Sequence, residues 1–371
     1  MSGAPWPPWE RSRVLLLLAA TETAAVPGIS AAGATPAARR ATAAADAELL
    51  LGGPGSARPH ALPPLPAGVS PALISHVVLR QLGWLERLLV ADLGCAVAPA
   101  VPHLRPPALE ASGPAQCLSS GQALAPRRVE ALLRRGRIWG ERLDPAAPLV
   151  LAESVPGGTS TALAVLRGLG LPADGLVGGS LRQAAHERKA ELVSRGLAAA
   201  GLPATGAPAH QVLAAVGDPM QALAAGLLLA AAGRGVPVVL AGGSQMAAVL
   251  ALALALAPPT QRTALAAAAR IATTAWVVQE ADSDLEQLLA LIGARWGVRP
   301  QLEVAALRFG TCTSAALRDY ERGYVKEGVG AGGLAWLWQA SGRDPEQLAR
   351  ACDRACQRLL AEGDLPRGAG A

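Results

Sequence analysis

The sequence predicts an α/β protein, a mostly parallel sheet covered by helices on both faces in a Rossmann-like arrangement. Short apolar runs alternate along the chain with longer stretches rich in Ala and Leu, which is the order that βαβ units produce. Glycine-rich turns follow several of these runs, at the places where strands of such a sheet would end. Apolar residues make up 51% of the 371 residues and aromatic residues only 3%, so Leu, Val and Ala must build the core.

Seven short apolar runs are the predicted strands. Runs that are continuously apolar, rather than alternating with polar residues, indicate strands buried on both faces. The first run follows Arg11 and Arg13 and so imitates a secretory signal, but Trp9 and Glu10 do not suit the start of such a signal. We therefore expect a buried first strand there. The predicted strands are Val14–Ala20, Arg87–Asp92, Pro148–Ala152, Gly175–Val177, Val236–Ala241, Arg270–Ala275 and Glu303–Leu307.

Ten longer stretches are the predicted helices. Two of them begin with Pro directly after Asp218 and Asp344, where Asp caps the first backbone N–H groups and Pro needs none. The segments 51–70 and 98–114 are rich in Pro and Gly and are expected to be long ordered loops. The predicted helices are Pro36–Leu51, Pro71–Leu82, Pro126–Arg135, Thr159–Gly168, Arg182–Ala200, Pro219–Gly233, Ser244–Leu256, Ser283–Leu291, Ser314–Arg322 and Pro345–Leu360.

Composition and charge exclude several classes of protein. A charged fraction of 16% with a net charge of +5 excludes an intrinsically disordered chain. Five Cys in this length exclude a small disulfide scaffold and indicate a reducing compartment, so a cytoplasmic location is expected. The Arg residues are scattered, and no nucleic-acid partner is expected. The longest apolar run, Met246–Pro258, falls short of the ~20 residues of a spanning helix, and no membrane partner is expected.

Rare residue types cluster in one part of the chain. Lys189 and Lys326 are the only lysines, and Met220 and Met246 are the only methionines after the first residue. In a chain that otherwise uses Arg, a Lys suits a compact charge placed on a phosphate group. A Met suits an adaptable apolar wall. This clustering indicates a functional site built between positions 189 and 326, with chance clustering as the alternative.

Four glycine-rich turns follow predicted strands and indicate a site for an anionic, phosphate-bearing ligand. Backbone N–H groups at helix N-termini bind phosphate, and Gly permits close approach. Gly217-Asp218 adds another helix start. The alternative is that strand–helix turns need Gly in any case, since none of the four contains a complete phosphate-binding motif. The candidate binding residues are Gly157, Gly158 and Thr159, then Ser180, then Gly242 and Gly243, and finally Gly328 and Gly330.

Two carboxylates are the candidates for acid–base chemistry. Glu153 opens the first glycine turn, and Glu327 opens the fourth beside Lys326. Burial in such a turn raises the pKa of a Glu, which suits a general base. The alternatives are an ion pair with Lys326 for Glu327 and a favourable charge at a helix N-terminus for Glu153. The five His show no metal-ligand spacing, and Cys352 and Cys356 lack a second pair, so neither a metal nor a cofactor is expected.

Four long motifs resemble a cyanobacterial and archaeal family that is similar to nicotinate-nucleotide–dimethylbenzimidazole phosphoribosyltransferase, which makes the lower-ligand nucleotide of cobalamin. They occupy residues 153–162, 217–221, 236–246 and 323–333, and the segments 21–36 and 65–75 match as well. The resemblance implies a single α/β domain over residues 1–362 with a small helical part formed by the chain ends. Residues 363–371 are then expected to be a frayed tail.

The resemblance also assigns roles to individual residues. Glu327-Gly-Val-Gly-Ala331 matches the family turn whose Glu is the catalytic base, Glu153 matches a Glu lining the same pocket, and Lys189 matches a family lysine by position. Two departures are present. The family Asp before Gly242 is an Ala here, and Ala20-Thr-Glu-Thr-Ala24 stands where the family has Gly-Asp-His-Gly-Val. The second departure leaves the identity of the base substrate open.

By resemblance, the ligands are nicotinate mononucleotide and an aromatic base. The phosphate would lie on the glycine turns near Lys189, the base would lie against Met220 and Met246, and Glu327 would take its proton. The products are an α-ribazole-type 5′-phosphate and nicotinate, and a homodimer is implied. The alternatives are the same transfer to another base such as adenine, or a nucleotide-binding relative without activity. A dinucleotide-dependent dehydrogenase is disfavoured because no GxGxxG follows the first strand.

Overall fold

Six parallel strands form one sheet in the computed structural model, which describes residues 8–62, 65, 67–106, 113–182 and 185–361. The strand order is β2-β1-β3-β4-β5-β6, and every pairing is parallel. The predicted α/β class is therefore confirmed. The strands are β1 (Arg13–Leu18), β2 (Leu88–Asp92), β3 (Leu149–Ser154), β4 (Val238–Ala241), β5 (Ala269–Thr274) and β6 (Gln301–Ala305).

Helices connect the strands and cover both faces of the sheet. In the described part of the chain they are α1 (Pro36–Gly52), α2 (Ala72–Leu82), α3 (Pro126–Glu141), α4 (Gly158–Gly168), α5 (His186–Ala199), α6 (Ala209–Val216), α7 (Pro219–Gly233), α8 (Ser244–Leu256), α9 (Arg262–Ala268), α10 (Ala275–Val278), α11 (Leu285–Trp296), α12 (Ala315–Glu321), α13 (Ala331–Ala340) and α14 (Pro345–Ala361). No described helix is both long and apolar enough to cross a membrane.

Two apolar cores lie on opposite faces of the sheet. Alternate side chains of β1 belong to different cores, with Leu15 and Leu17 on one face and Leu16 and Leu18 on the other. Helices α3 to α8 and α11 cover the first face, whereas α1, α2, α13 and α14 cover the second. The continuously apolar run that resembled a signal segment is therefore a strand buried from both sides. The second face is covered by helices that come from opposite ends of the sequence.

Several predicted elements differ from the observed ones. Gly175–Val177 was expected to be a strand, but it forms a turn in which the Leu176 N–H donates to Ala173 O (3.1 Å). The reason is that β3 pairs directly with β4, so the sheet has no place for this segment between these two consecutive strands. Its Val177 is buried in the first core instead. Helices α6, α9, α10 and α13 were not predicted, and the expected tail at 363–371 lies outside the described residues.

Candidate active site

A cleft opens beyond the carboxyl ends of strands β1, β3, β4 and β5, the edge at which open α/β sheets bind their ligands. Its empty volume is about 1010 Å³ including the open mouth. Helix α1 and the loops that follow these strands supply the walls. The lining comes from the segments 30–32, 153–159, 178–180, 243–245 and 325–329 and from Thr42, Asp46, Leu65, Ser70, Pro71, Val277 and Glu280.

The structure brings together many of the residues singled out in the sequence. They come from the turn after β3, the loop before α5, the turn after β4 and the turn before α13, which are distant in sequence. Both candidate carboxylates face the same cleft. The predicted residues in the lining are Glu153, Gly157, Gly158, Thr159, Ser180, Gly243, Lys326, Glu327 and Gly328.

Other predicted residues lie outside the lining, namely Lys189, Gly217, Asp218, Met220, Gly242, Met246 and Gly330. Met220 and Met246 are fully buried in the first core, on helices α7 and α8. Asp218 caps helix α7, where its carboxylate accepts from the Gln221 N–H (3.0 Å) and from Thr161 Oγ1 (2.6 Å). Gly330 begins helix α13. These residues support the walls from behind.

Glu327 is held by four hydrogen-bond donors. Its Oε1 accepts from the N–H groups of Gly328 and Gly332, both at 3.0 Å. Its Oε2 accepts from Thr273 Oγ1 (2.8 Å) and the Thr274 N–H (3.0 Å). Burial raises the pKa of Glu327, and these four bonds oppose the rise because they stabilise the charged form. The half-buried carboxylate is therefore fixed at the N-terminus of α13, where the helix dipole favours an anion.

The turn that carries Glu327 is strained. Val325, Lys326 and Val329 have φ values of 66°, 64° and 53°, in the left-handed region that branched side chains avoid. Each such residue costs about 1–2 kcal/mol. Thr274 Oγ1 donates to Lys326 O (2.6 Å) and the Val329 N–H donates to Glu153 O (2.9 Å), so neighbouring strands hold the turn in place. Strain of this kind is typical of functional sites.

Glu153 is the more deeply buried of the two carboxyl groups, with 4% of its surface exposed. Burial raises its pKa to about 8, and the charges of Asp218 and Glu327 act in the same direction. Its Oε1 accepts from Gln245 Nε2 (2.9 Å). The Glu153 carboxyl group is therefore mostly protonated at neutral pH and can donate a hydrogen bond into the cleft.

Both lysines lie at the same side of the cleft. Lys326 Nζ pairs with Glu280 Oε1 (2.6 Å) and donates to Leu181 O (2.9 Å). Lys189 Nζ donates to Gly178 O (2.7 Å), directly behind the lining segment 178–180. Burial lowers the pKa of Lys189 to about 8, and Glu280 opposes this shift. Two lysine side chains stand against one carboxylate, that of Glu280, so this end of the cleft carries a net positive charge.

Helices α4 and α8 both begin at the cleft. Gly157 and Gly158 open α4, and Gly243 and Ser244 open α8, and all four line the cleft. The first N–H groups of a helix have no partner within the helix and carry partial positive charge, so two such starts suit an anionic group. A Cβ atom on Gly158 would overlap the Gln245 amide, which explains the need for Gly there.

Sequence reasoning did not single out Asp46, Gln245, Glu280 or Thr273. Gln245 and Thr273 directly adjoin a glycine turn or a strand end, and that position is a usable signal. Asp46 lies within the Ala-rich helix α1, where an acidic residue among small apolar residues was the signal. Glu280 follows the short helix α10, and nothing in the local sequence marks it.

Comparisons with known proteins agree with this architecture. A sequence model described as a phosphoribosyltransferase family matches residues 78–291. A UPF0284 protein of Parasynechococcus marenigrum (strain WH8102) is 52% identical, with 96% of this chain and 90% of the relative covered. A UPF0284 protein of Prochlorococcus marinus (strain MIT 9313) is 53% identical, with 94% and 86% covered.

Two solved structures from Thermus thermophilus share the fold. One is described as nicotinate-nucleotide-dimethylbenzimidazole phosphoribosyltransferase, with a TM-score of 0.55 and 20% identity over 96% of this chain and 86% of that one. The other is described as CobT, with a TM-score of 0.56 and 22% identity over 96% and 87%. At this level of identity the likeness establishes the arrangement of strands and helices.

Proposed function

Since the chain belongs to the phosphoribosyltransferase family, and with it to the UPF0284 proteins of cyanobacteria, we propose that it transfers phosphoribosyl from nicotinate mononucleotide to an aromatic nitrogen base. The base is of the dimethylbenzimidazole type, and the product serves as the lower-ligand nucleotide of cobalamin. The observation that carries this proposal is the cleft itself, where Glu153 and Glu327 face two helix N-termini at the carboxyl edge of the sheet.

The nucleotide is bound by its charges. Its phosphate accepts hydrogen bonds from N–H groups at the starts of α4 and α8. The positive charge of Lys189, behind segment 178–180, attracts the same phosphate. The ribose then lies between this end and the carboxyl groups of Glu153 and Glu327. Positive charge develops on the ribose as the glycosidic bond breaks, and the Glu327 carboxylate, fixed beforehand by its four hydrogen bonds, stabilises it.

Glu327 is proposed as the general base. The attacking ring nitrogen forms a bond to C1′ while the bond from C1′ to the nicotinate nitrogen breaks, and nicotinate leaves with that electron pair. The base thereby becomes cationic and its ring N–H becomes acidic, so a carboxylate held by four donors is basic enough to take the proton. Attack from the face opposite the leaving group inverts C1′ and gives an α-riboside. The nicotinate ring is a cationic pyridinium while it is bonded to C1′, so it is already a good leaving group and needs no metal or cofactor to activate it.

The test is an incubation of the protein with nicotinate mononucleotide and a panel of bases that includes dimethylbenzimidazole and adenine, with nicotinate release followed by chromatography. Release that depends on one base identifies the activity and its substrate together. Binding of the mononucleotide without release for any base supports a nucleotide-binding protein and contradicts the proposed transfer.

The variant Glu327→Gln is expected to reduce nicotinate release by about 10²–10⁴-fold, because one positioned base contributes that much. Affinity for the mononucleotide, measured by calorimetry, is expected to stay within a few-fold of the wild-type value. Gln keeps the shape and one acceptor oxygen, so two of the four hydrogen bonds to this side chain can remain. Unchanged turnover would rule out Glu327 as the base.

A further inference from the structure

One wall of the cleft presents hydroxyl and carboxylate oxygen atoms. Each hydroxyl group already donates its proton to another group of the protein. This acceptor wall consists of Thr42, Asp46, Ser70 and Ser154. Thr42 and Asp46 are four residues apart on α1 and therefore share a helix face. Ser154 is the last residue of β3, directly after Glu153, so the acceptor wall adjoins the proposed catalytic groups.

Each hydroxyl proton of the acceptor wall is used in a hydrogen bond within the protein. Ser70 Oγ donates to Asp46 Oδ1 (2.6 Å), and Ser154 Oγ donates to Asp46 Oδ2 (2.8 Å). Thr42 Oγ1 donates to Ala32 O. Each hydroxyl has one proton, so what these groups can offer to a ligand is lone pairs.

Asp46 keeps the acceptor wall negatively charged. Only 5% of its surface is exposed, and among the described residues no Lys, Arg or His lies within ion-pairing distance of it. Burial raises its pKa to about 6, while the two serine bonds lower it, so the carboxylate is ionised at neutral pH. A buried carboxylate with two donors still has lone pairs unused.

We propose that the acceptor wall binds an O–H or N–H donor of the ligand and discriminates against analogues that lack it. The inference rests on the proposed function for its ligands, and the donor has two possible sources. One is the 2′- or 3′-hydroxyl of the nucleotide ribose, and the other is a donor group on the accepting base. In both cases Asp46 determines specificity, because an analogue without the donor leaves a lone pair of the buried carboxylate without a hydrogen-bond partner.

The experiment measures binding, so it needs no turnover. Isothermal titration calorimetry of the full chain compares nicotinate mononucleotide with its 2′-deoxy and 3′-deoxy analogues. A second comparison, made without nucleotide so that no transfer takes place, sets 5-hydroxybenzimidazole against 5-methylbenzimidazole, which have similar size but differ in the donor. The proteins are the wild type, Asp46→Asn and the control Asp353→Asn. Asp353 also accepts from a threonine hydroxyl, Thr313 Oγ1 (2.8 Å), but lies on α14 away from the cleft.

The wild type and Asp353→Asn are expected to prefer the donor-bearing member of at least one comparison by about 10-fold or more, the size of a bond to a charged group. Asp46→Asn is expected to lose most of that preference, because the amide brings a competing donor. A preference in the deoxy comparison assigns the acceptor wall to the ribose, and one in the benzimidazole comparison assigns it to the base.

Equal affinities within both comparisons in the wild type overturn the inference, even if Asp46→Asn does not fold. A wild-type preference that Asp46→Asn retains in full overturns it as well. Either result leaves the proposed transfer standing. A preference lost in Asp46→Asn, together with no nicotinate release from any base, overturns the transfer and supports the acceptor wall.

Discussion

Carboxyl groups act on one another at this site. The charges of Asp218, Glu327 and Asp46 all raise the pKa of Glu153, although burial is the larger cause. Burial likewise raises the pKa of Asp218 and of Glu327, and hydrogen bonds oppose it in both. Glu153, with a pKa of about 8, keeps its proton to a higher pH than Asp46, with a pKa of about 6, because burial and three neighbouring carboxyl groups act on it together.

Glu153→Gln is expected to stabilise the protein increasingly as the pH rises. The pKa of Glu153 is about 8 in the folded state against 4.5 for an ordinary Glu, so its protonated form favours folding below pH 4.5. That contribution is lost as the pH rises from 4.5 to 8, at up to about 1.4 kcal/mol per pH unit. Gln is neutral at every pH, so the variant does not lose this contribution to the free energy of unfolding as the pH rises.

Urea unfolding of both proteins at several pH values between 5 and 9 measures this effect. The exposed Glu130→Gln on α3 is the control for the chemical change from Glu to Gln outside the cleft. A difference between wild type and Glu153→Gln that stays constant from pH 5 to 9 would mean that Glu153 is ionised throughout.

Single residues could be predicted where chemistry and local pattern coincide. Glu153 and Glu327 open glycine turns, so the sequence marked both. Asp46 and Glu280 reach the same cleft from α1 and from the end of α10, and only the folded chain brings them there. Met220 and Met246 have side chains that suit a pocket wall, but on helices α7 and α8 they face the first core instead of the cleft.

The turn before α13 and the helix itself act as one element. Gly332 lies in the first turn of α13, and its N–H donates to Glu327 Oε1 (3.0 Å). A Cβ atom at Gly332 would overlap Glu327 Oε2 and the backbone of Thr273 in β5. The helix can therefore approach the strand, and hold the carboxylate, only with Gly at this position.

Gly332→Ala is expected to reduce turnover by about 100-fold, because a displacement of about 1 Å at a reacting group has that effect. The matched control is Gly233→Ala in α7, where a Cβ atom would meet nothing within 4 Å. This control is expected to keep full activity and to gain about 0.5–1 kcal/mol of stability, as Ala does over Gly in a helix. Initial rates and melting temperatures of both variants test these two expectations. Full activity in Gly332→Ala would contradict the argument that Gly332 must pack closely against β5.

Elements were predicted well where an apolar run had a partner strand. The first strand was predicted as Val14–Ala20 and is observed as Arg13–Leu18, and its pairing with β2 on one side and β3 on the other explains why Val14–Leu18 are buried. Gly175–Val177 had the same local pattern, but pairing is a long-range property that the segment lacks. Helix α13 was missed because its first turn is Ala331-Gly-Gly, which favours a loop locally, whereas Glu327 and the sheet hold it as a helix.

At the scale of the whole molecule, the cleft joins segments from residue 30 to residue 329. A ligand that contacts all of them binds the folded chain and has no equivalent site on the unfolded one. Such a ligand stabilises the fold by mass action, by about 2.7 kcal/mol at 100 times its dissociation constant.

Nicotinate mononucleotide is therefore expected to raise the melting temperature, and Lys189→Met is expected to reduce that increase at equal ligand concentration. Lys189 lies behind segment 178–180 and provides a positive charge there. Arg195→Met, exposed on the same helix α5, is the control and should keep the full increase. Differential scanning fluorimetry at several nucleotide concentrations gives the comparison. An undiminished increase in Lys189→Met would make this lysine a structural residue.

The second face of the sheet also has a consequence for biosynthesis. Helix α2 packs against α14, although about 260 residues separate them. At a translation rate of about 5–20 residues per second, a ribosome needs tens of seconds to make the intervening chain. Throughout that interval α2 can pack against α1 but lacks its contacts with α13 and α14. The second face of the sheet is therefore completed only after translation has reached α14. Until then, α2 is the segment to which a chaperone is expected to bind on the nascent chain.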